Sequence, residues 1–258
     1  MSDPRSSMRY DQVSRTGADA HIFDEGLRAY MLGVYNYMTL GLAITGLLAL
    51  GTVMLATTDT PTQYALNDGQ YLTSLGVALY ASPLKWVVML APLGMVLFLS
   101  FRIQNMSAAT AQMTFWVYAA MMGVSLSSIF LVFTGASIAK VLFMTAAMFG
   151  AMSLYGYTTK KDISGWGSFL FMGLIGIIIA STVNIFLGSS ALDFAISVIG
   201  VLVFAGLTAY DTQQIKEMYY VGDDGEVATK KSVMGALRLY LDFINLFIML
   251  LQLFGSRE

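Results

Sequence analysis

Cysteine is absent from the 258-residue chain, and histidine occurs only once, as His21. Without cysteine there is no disulfide, no thiolate metal site and no cysteine nucleophile. His21 lies in a polar stretch beside Asp19 and Asp24, where we expect a solvated surface side chain. A serine hydrolase needs a histidine base inside its fold, and a histidine-rich metal site needs several. The sequence therefore argues against an enzyme of these classes and predicts no resident cofactor.

Charge is also scarce, since only 12% of the residues are charged while 57% are hydrophobic. This charged share is about half of that in soluble domains, and the mean hydropathy is +0.67. The nucleotide-binding and zinc-protease motifs are missing, and a net charge of −2 gives no reason to expect nucleic acid. The first ~30 residues contain no apolar core of a signal peptide. We expect an all-α, multi-pass membrane protein whose main partner is the lipid bilayer.

Seven apolar segments follow a polar tail, so the chain divides into a tail of residues 1–30 and a transmembrane domain of residues 31–258. A polar loop with turn signals at Pro61 and Asn67–Asp68–Gly69 follows the first segment, and Tyr71–Tyr80 is a candidate interfacial helix. Small residues repeat every four positions in the first and fifth segments, which favours close helix packing. The predicted spans are Val34–Ala56, Trp86–Phe101, Ala108–Phe133, Ala139–Tyr157, Trp166–Leu187, Leu192–Asp211 and Lys231–Gly255.

The distribution of basic residues predicts the orientation of the chain. If the N-terminus is cytoplasmic and all seven segments cross, 11 of the 14 Lys and Arg residues lie on the cytoplasmic side. The other side then holds Lys85, Lys140 and Arg257. This asymmetry is the positive-inside bias, and it favours a cytoplasmic N-terminus. It hardly distinguishes a spanning seventh segment from a re-entrant one, and we expect a spanning helix.

The last segment carries four polar residues on one face. Arg238, Asp242, Asn245 and Gln252 fall within an arc of about 80° on a helix that turns ~100° per residue. Asp242 lies near the middle of the apolar stretch, where a charged side chain costs about 2.5–3.5 kcal/mol on insertion scales. Such a residue is a candidate functional group that needs a partner. One alternative is purely structural: an ion pair with Arg238, one helical turn earlier.

The sixth segment contributes a second carboxylate, Asp211, at its predicted cytoplasmic end. One interpretation is a helix-end carboxylate in water. The other places Asp211 against Asp242, because the two segments are consecutive and antiparallel. Two neighbouring buried carboxylates cannot both ionise cheaply, so one would retain a proton and the pair would titrate as a unit. The protonated pair could then lock the two helices together, and the deprotonated pair would repel or attract a cation.

Arg102, at the end of the second segment, is the remaining candidate. It is either an interfacial side chain that extends toward the headgroups or a gate partner of the two aspartates. Two aspartates at membrane depth also suggest an intramembrane aspartyl protease. However, the sequences around them, Tyr210–Asp211–Thr212 and Leu241–Asp242–Phe243, lack the Gly-x-Gly-Asp context associated with that class.

Three stretches resemble the Bax inhibitor-1 family, also called the transmembrane Bax inhibitor motif or YccA-like family, in its bacterial form. The C-terminal ALRLYLDFINLF of Ala236–Phe247 is similar to the family's signature. LTAYDTQ at Leu207–Gln213 resembles its sixth-helix motif, and YTTKKD at Tyr157–Asp162 resembles its loop between the fourth and fifth helices. The resemblance covers roughly residues 30–255.

This resemblance implies six helices packed around a central, C-terminal seventh, in the inner membrane of a bacterium. It implies a pH-sensitive calcium leak channel gated by Asp211 and Asp242, which would bind calcium transiently, with Arg102 as the gate arginine. The family's acidic residue on the second helix has no counterpart in Trp86–Phe101. We expect Asn245, Gln252 and Arg238 to line the pathway. The alternative is a regulator that binds a membrane AAA protease or another membrane partner through its charged tail.

Overall fold

The computed structural model describes residues 4–66 and 69–257, with side chains from residue 24 onward. The predicted turn at Asn67–Asp68 and the side chain of His21 lie outside the described residues. Within the described part, seven helices are long and apolar enough to cross a membrane, which confirms the predicted fold class. The main helices are α1 (Pro4–Ala56), α3 (Leu84–Arg102), α4 (Ala108–Leu126), α5 (Gly135–Thr158), α6 (Trp166–Leu187), α7 (Ser190–Glu217) and α8 (Gly225–Phe254).

The last helix, α8, occupies the centre of the bundle. It packs against α1, α4, α5 and α7, and 72% of its most apolar stretch is buried, against 17–39% for the other six spans. Its core side chains include Leu239, Tyr240 and Leu246, which are fully buried. α3 and α6 are peripheral, since α3 packs mainly on α4 and α6 on α7. A central α8 is the arrangement that the family resemblance implies.

The connection after α1 is a compact unit at the membrane surface. Strand β1 (Thr57–Thr58) pairs antiparallel with β2 (Tyr71–Leu72), and α2 (Ser74–Gly76) continues into a π-helix at Val77–Ala81. The predicted interfacial helix over Tyr71–Tyr80 is therefore only partly helical. Its first two residues, Tyr71 and Leu72, are held instead by backbone pairing with Thr58 and Thr57. Local sequence does not reveal this pairing.

Helix ends follow the capping residues rather than the ends of the apolar stretches. Gly188 has a left-handed conformation (φ 60°) that ends α6, and the Ser189 side chain accepts a hydrogen bond from the backbone of Leu192 to start α7. Asp224 caps α8 in the same way. The predicted end of the sixth span at Asp211 and start of the seventh at Lys231 therefore differ from the helix ends, because only Met218–Asp224 separates α7 from α8.

The chain ends on the side of the bundle where α5 begins. The backbone N–H of Ser256 donates to Ser137 Oγ at 2.8 Å, and the N–H of Thr134 donates to the Ser256 carbonyl at 3.1 Å. α8 is one continuous helix of 30 residues, about 45 Å long at 1.5 Å per residue. It is therefore long enough to cross a membrane, and a spanning α8 stays a prediction.

The outward faces of the helices are apolar. Large side chains such as Phe143, Ile185 and Phe186 are 77–85% exposed. A water-soluble protein would not tolerate such a surface over most of its circumference, whereas a bilayer provides the apolar solvent that it requires.

Candidate functional site

Asp211 of α7 and Asp242 of α8 face each other where these two helices pack together. Their carboxyl groups are within hydrogen-bonding reach of each other. Asp242 is only 5% exposed, and its Oδ2 atom has no hydrogen-bond partner in the described residues. A hydrogen bond between two carboxyl groups requires a proton on one of them. The two carboxyl groups therefore lie together. Asp211 does not lie at a helix end, because α7 continues to Glu217.

Arg238 lies close enough to act electrostatically on both carboxyls, although no direct ion pair joins it to either within the described chain. Its side chain is exposed, so the ion pair considered from the sequence does not neutralise Asp242. The positive charge of Arg238 acts on both Asp211 and Asp242. Removing a proton from the pair would consequently leave excess negative charge in a buried position.

Asn245 and Gln252 follow Asp242 along α8 but differ in their partners. The Asn245 side-chain amide donates to the carbonyl of Leu241 in its own helix at 2.8 Å. Gln252 accepts a hydrogen bond from Ser197 of α7 at 2.8 Å. It lies ten residues beyond Asp242, about 15 Å along the helix axis.

A second polar region surrounds Gln252 at the end of α8. A cavity of about 290 Å³ opens between α6, α7 and α8 and is lined by Asn184, Asp193 and Gln252. The Asn184 amide donates to the carboxylate of Asp193, and the Asn184 side chain also bonds the backbone of Ser189. The sequence indicated Gln252, but the contribution of Asn184 depends on α6 lying beside α7 and was not predicted.

Met249 lines this cavity and lies between Asp242 and Gln252 along α8. Its side chain packs on Gly200 of α7, where an added Cβ would lie 2.6 Å from the Met249 sulfur. The absence of a side chain at Gly200 is thus what allows Met249 to lie between the helices.

Arg102 is not part of this site. It is exposed in the last turn of α3 and forms no hydrogen bond or ion pair with the described residues. The 3₁₀ turn that follows it, Ile103–Asn105, does contact α8 and buries Ile103. This end of α3 therefore reaches the central helix, and a role for Arg102 in gating stays a prediction.

The two motifs at Tyr157–Asp162 and Leu207–Gln213 are in direct contact. Gln213 accepts a hydrogen bond from the backbone of Ile163 at 2.9 Å and donates to the carbonyl of Lys161 at 2.9 Å. Gln213 is 6% exposed and lies two residues after Asp211. The α5–α6 loop is therefore fixed to the segment of α7 that holds the carboxyl pair, a link that sequence analysis missed.

As a metal site the arrangement offers oxygen ligands only. Within the residues that the structure describes, no group of three or more His, Asp or Glu side chains is placed to hold an ion. Carboxylate and amide oxygens are the donors that calcium prefers. Two carboxylates suit transient contact with a passing cation better than a resident metal.

Comparison with known proteins agrees with the fold. The model of the family described as "Inhibitor of apoptosis-promoting Bax1" matches residues 27–258. An uncharacterized protein of Rickettsia prowazekii is 47% identical over 249 residues, which cover 96% of this chain and 98% of that protein. The inner membrane protein YbhL of Escherichia coli K12 is 48% identical over 236 residues, covering 90% and 94%. With these matches and its seven apolar helices, the chain belongs to the Bax inhibitor-1 family of multi-pass membrane proteins.

Proposed function

We propose that this protein is a proton-gated cation leak pathway of a bacterial inner membrane, with calcium as its ion. The observation that carries the proposal is the buried Asp242, which faces Asp211 and has one carboxyl oxygen without a partner. A carboxylate at membrane depth is tolerated where it meets a partner or a water-filled path. The choice of calcium comes from the family resemblance.

The gate in this proposal is the shared proton. While one carboxyl is protonated, the two groups hydrogen-bond and hold α7 against α8. When the proton leaves, two negative charges remain, and charges 4 Å apart interact by about 4 kcal/mol at an effective dielectric constant of about 20. Arg238 offsets only part of this repulsion. The helices separate, and the carboxylates become available to a divalent cation.

The remainder of the path follows the α7–α8 interface toward the end of the chain. The cavity around Asp193 and Gln252 forms the outer entrance, and Met249 closes the interface between that entrance and Asp242. Opening therefore requires movement at both the carboxyl pair and Met249. With a cytoplasmic N-terminus, as the basic residues predict, the carboxyl pair lies toward the cytoplasm.

The test is calcium uptake by proteoliposomes that contain an indicator dye, measured at pH 6 and pH 8. We expect uptake above that of protein-free liposomes, with the greater rate at pH 8, where the pair loses its proton. Equal uptake with and without protein at both pH values would contradict the proposal.

The second candidate is a regulator that binds a membrane AAA protease or another membrane partner. It is favoured by α1, whose 53 residues are about 80 Å long, well over the ~30 Å of hydrocarbon that a membrane span crosses. Co-purification of a protease that requires residues 1–23, together with absent calcium uptake, would favour this function.

A further inference from the structure

A groove lies between α1 and α5, on the opposite side of α8 from the cavity near Gln252. These two helices flank α8 but pack mainly on other neighbours, α1 on α4 and α5 on α7. The space between them has a volume of about 660 Å³, within the roughly 300–1,000 Å³ of ligand-binding clefts. It is open on the lipid-facing side of the bundle.

The walls of the groove are apolar. α1 contributes Met31, Met38 and Leu42, and α5 contributes Ala146 and Gly150. The floor is Phe243 of α8, which packs edge to face with Phe149 of α5 at a centroid distance of 5.4 Å. Gly150 makes the groove deeper, because no atom lies within 4 Å of the position that a Cβ would occupy there.

Two of the hydroxyl groups that line the groove, those of Tyr35 and Ser153, are already hydrogen-bonded. Tyr35 and Ser153 share a hydrogen bond of 2.6 Å between their hydroxyl oxygens, and Ser153 is 3.0 Å from the hydroxyl of Thr212. A hydrocarbon chain in this part of the groove would therefore leave these two hydroxyl groups paired. The lining suits an acyl chain rather than a polar solute.

Positive charge lies at one end of the groove. Arg28 of α1 lines the groove and is exposed. Its guanidinium forms no ion pair with the described residues, Asp24 included. Lys216 of α7 donates to the carbonyl of Tyr157 at 2.9 Å and lies 5.3 Å from the centre of that tyrosine ring, at the same end. Lys216 is thus already bonded within the protein, whereas the exposed guanidinium of Arg28 is available to attract an anionic headgroup.

The length of the groove also fits a lipid. From Arg28 to Leu42 the helix rises about 21 Å, and an acyl chain that fills one leaflet spans about half of a ~30 Å hydrocarbon core. Because bilayer hydrocarbon is as apolar as the groove, the acyl chain alone gives little selectivity. We infer that the groove between α1 and α5 binds one anionic phospholipid, with an acyl chain over Phe243 and the phosphate at Arg28.

The test is native mass spectrometry of the detergent-purified chain, titrated with phosphatidylglycerol or phosphatidylcholine of identical acyl chains. We expect one phosphatidylglycerol to bind about fivefold more tightly than phosphatidylcholine, the ratio expected for one basic residue at an anionic surface. Arg28→Gln should abolish this preference. Lys160→Gln, which removes an exposed cation from the α5–α6 loop, should keep it.

A second pair of variants tests the acyl site. Gly150→Phe places a ring in the groove and should remove the tightly bound lipid. Gly176→Phe is the matched control, since Gly176 of α6 is also exposed with no atom within 4 Å of its Cβ position but lies outside the groove. Wild-type binding by a folded Gly150→Phe variant, or an unchanged headgroup preference in Arg28→Gln, would overturn the inference. If Gly150→Phe does not fold, the Arg28→Gln comparison decides alone. The inference does not depend on calcium transport.

Discussion

Gly156 of α5 lies directly against the backbone of Ala209 in α7, so that a methyl group on Gly156 would overlap with the Ala209 carbonyl oxygen. Ala209 is fully buried and lies two residues before Asp211. The close approach of these helices therefore sets the position of the segment that carries one member of the carboxyl pair. Gly167 of α6 makes room in the same way for the hydroxyl of Tyr210.

We expect Gly156→Ala to destabilise the bundle by about 1–3 kcal/mol, the cost of overpacking a close contact. The melting temperature of the purified protein should fall by several degrees. Gly150→Ala is the matched control on the same helix, where the added methyl meets no atom within 4 Å. Since alanine is the better helix former, that variant should not lower the melting temperature. Equal effects of the two substitutions would show that helix contact at Gly156 is unimportant.

Hydropathy located all seven spans, because a bilayer requires long apolar segments. It gave α6 as Trp166–Leu187, in agreement with the structure. It missed the last residues of α7 and the first of α8, since helices continue into water once capping and packing support them. Thr45, a member of the small-residue repeat in α1, packs against α8, where its hydroxyl is 2.6 Å from that of Tyr240. Gly176, a member of the repeat in α6, makes no such close contact, since a Cβ added there would meet no atom within 4 Å.

The carboxyl pair was also predictable, because both aspartates lie on polar faces of consecutive helices. The cavity near Gln252, the contact of Met249 with Gly200 and the bonds of Gln213 were not. These features depend on which helices are neighbours and how they rotate about their axes. A single sequence predicts which face of a helix is polar more readily than it predicts which helix packs against that face.

Topology is the next prediction. α8 ends beside the start of α5, so the two termini should lie on opposite sides of the membrane, with the N-terminus in the cytoplasm. Reporter domains fused before Met1 and after Glu258 measure this in intact cells. A periplasmic signal from the N-terminal fusion would refute the orientation, and signals from the same side would refute the spanning α8.

The protonation of the pair can be observed directly by infrared spectroscopy. We expect a protonated-carboxyl band that persists above about pH 5, where isolated aspartates are ionised, and that disappears in Asp242→Asn. Asp162→Asn is the control. Hydrogen bonds from the side chain and backbone of Ser164 hold the pKa of the exposed Asp162 below its usual range, so this carboxylate contributes no such band above pH 5. Absence of the band in the wild-type protein would exclude a shared proton.

Met249 should control access to the path from the side on which the chain ends. Because the chain contains no cysteine, Asn245→Cys provides a single reporter for a charged thiol reagent. We expect Asn245→Cys to be labelled slowly when Met249 is present, and at least about tenfold faster when Met249→Ala is added.

The control Met172→Ala, which shortens an exposed methionine of α6, should leave the labelling rate of Asn245→Cys unchanged. Gln252→Cys, at the exposed cavity, should label rapidly with or without Met249. Equally slow labelling of Asn245→Cys after Met249→Ala would place the barrier elsewhere.

Separate roles for the two aspartates follow from the proposed gate. In Asp211→Asn the amide can donate a hydrogen bond to Asp242 at any pH but cannot lose a proton. Calcium uptake by proteoliposomes should therefore lose its difference between pH 6 and pH 8. Asp242→Ala removes the deepest carboxylate on the path, and uptake at pH 8 should fall about tenfold, equivalent to ~1.4 kcal/mol in the barrier.

Asp162→Asn again provides the control for these uptake measurements. Because the pKa of Asp162 is lowered by Ser164, its carboxylate remains charged from pH 6 to pH 8, and its removal should leave the pH response intact. Retention of the wild-type pH response in folded Asp211→Asn would exclude Asp211 as the proton-binding group. Wild-type uptake by Asp242→Ala would place the ion path outside the α7–α8 interface. Because the two substitutions disturb different steps, the gate and the path can be assigned independently.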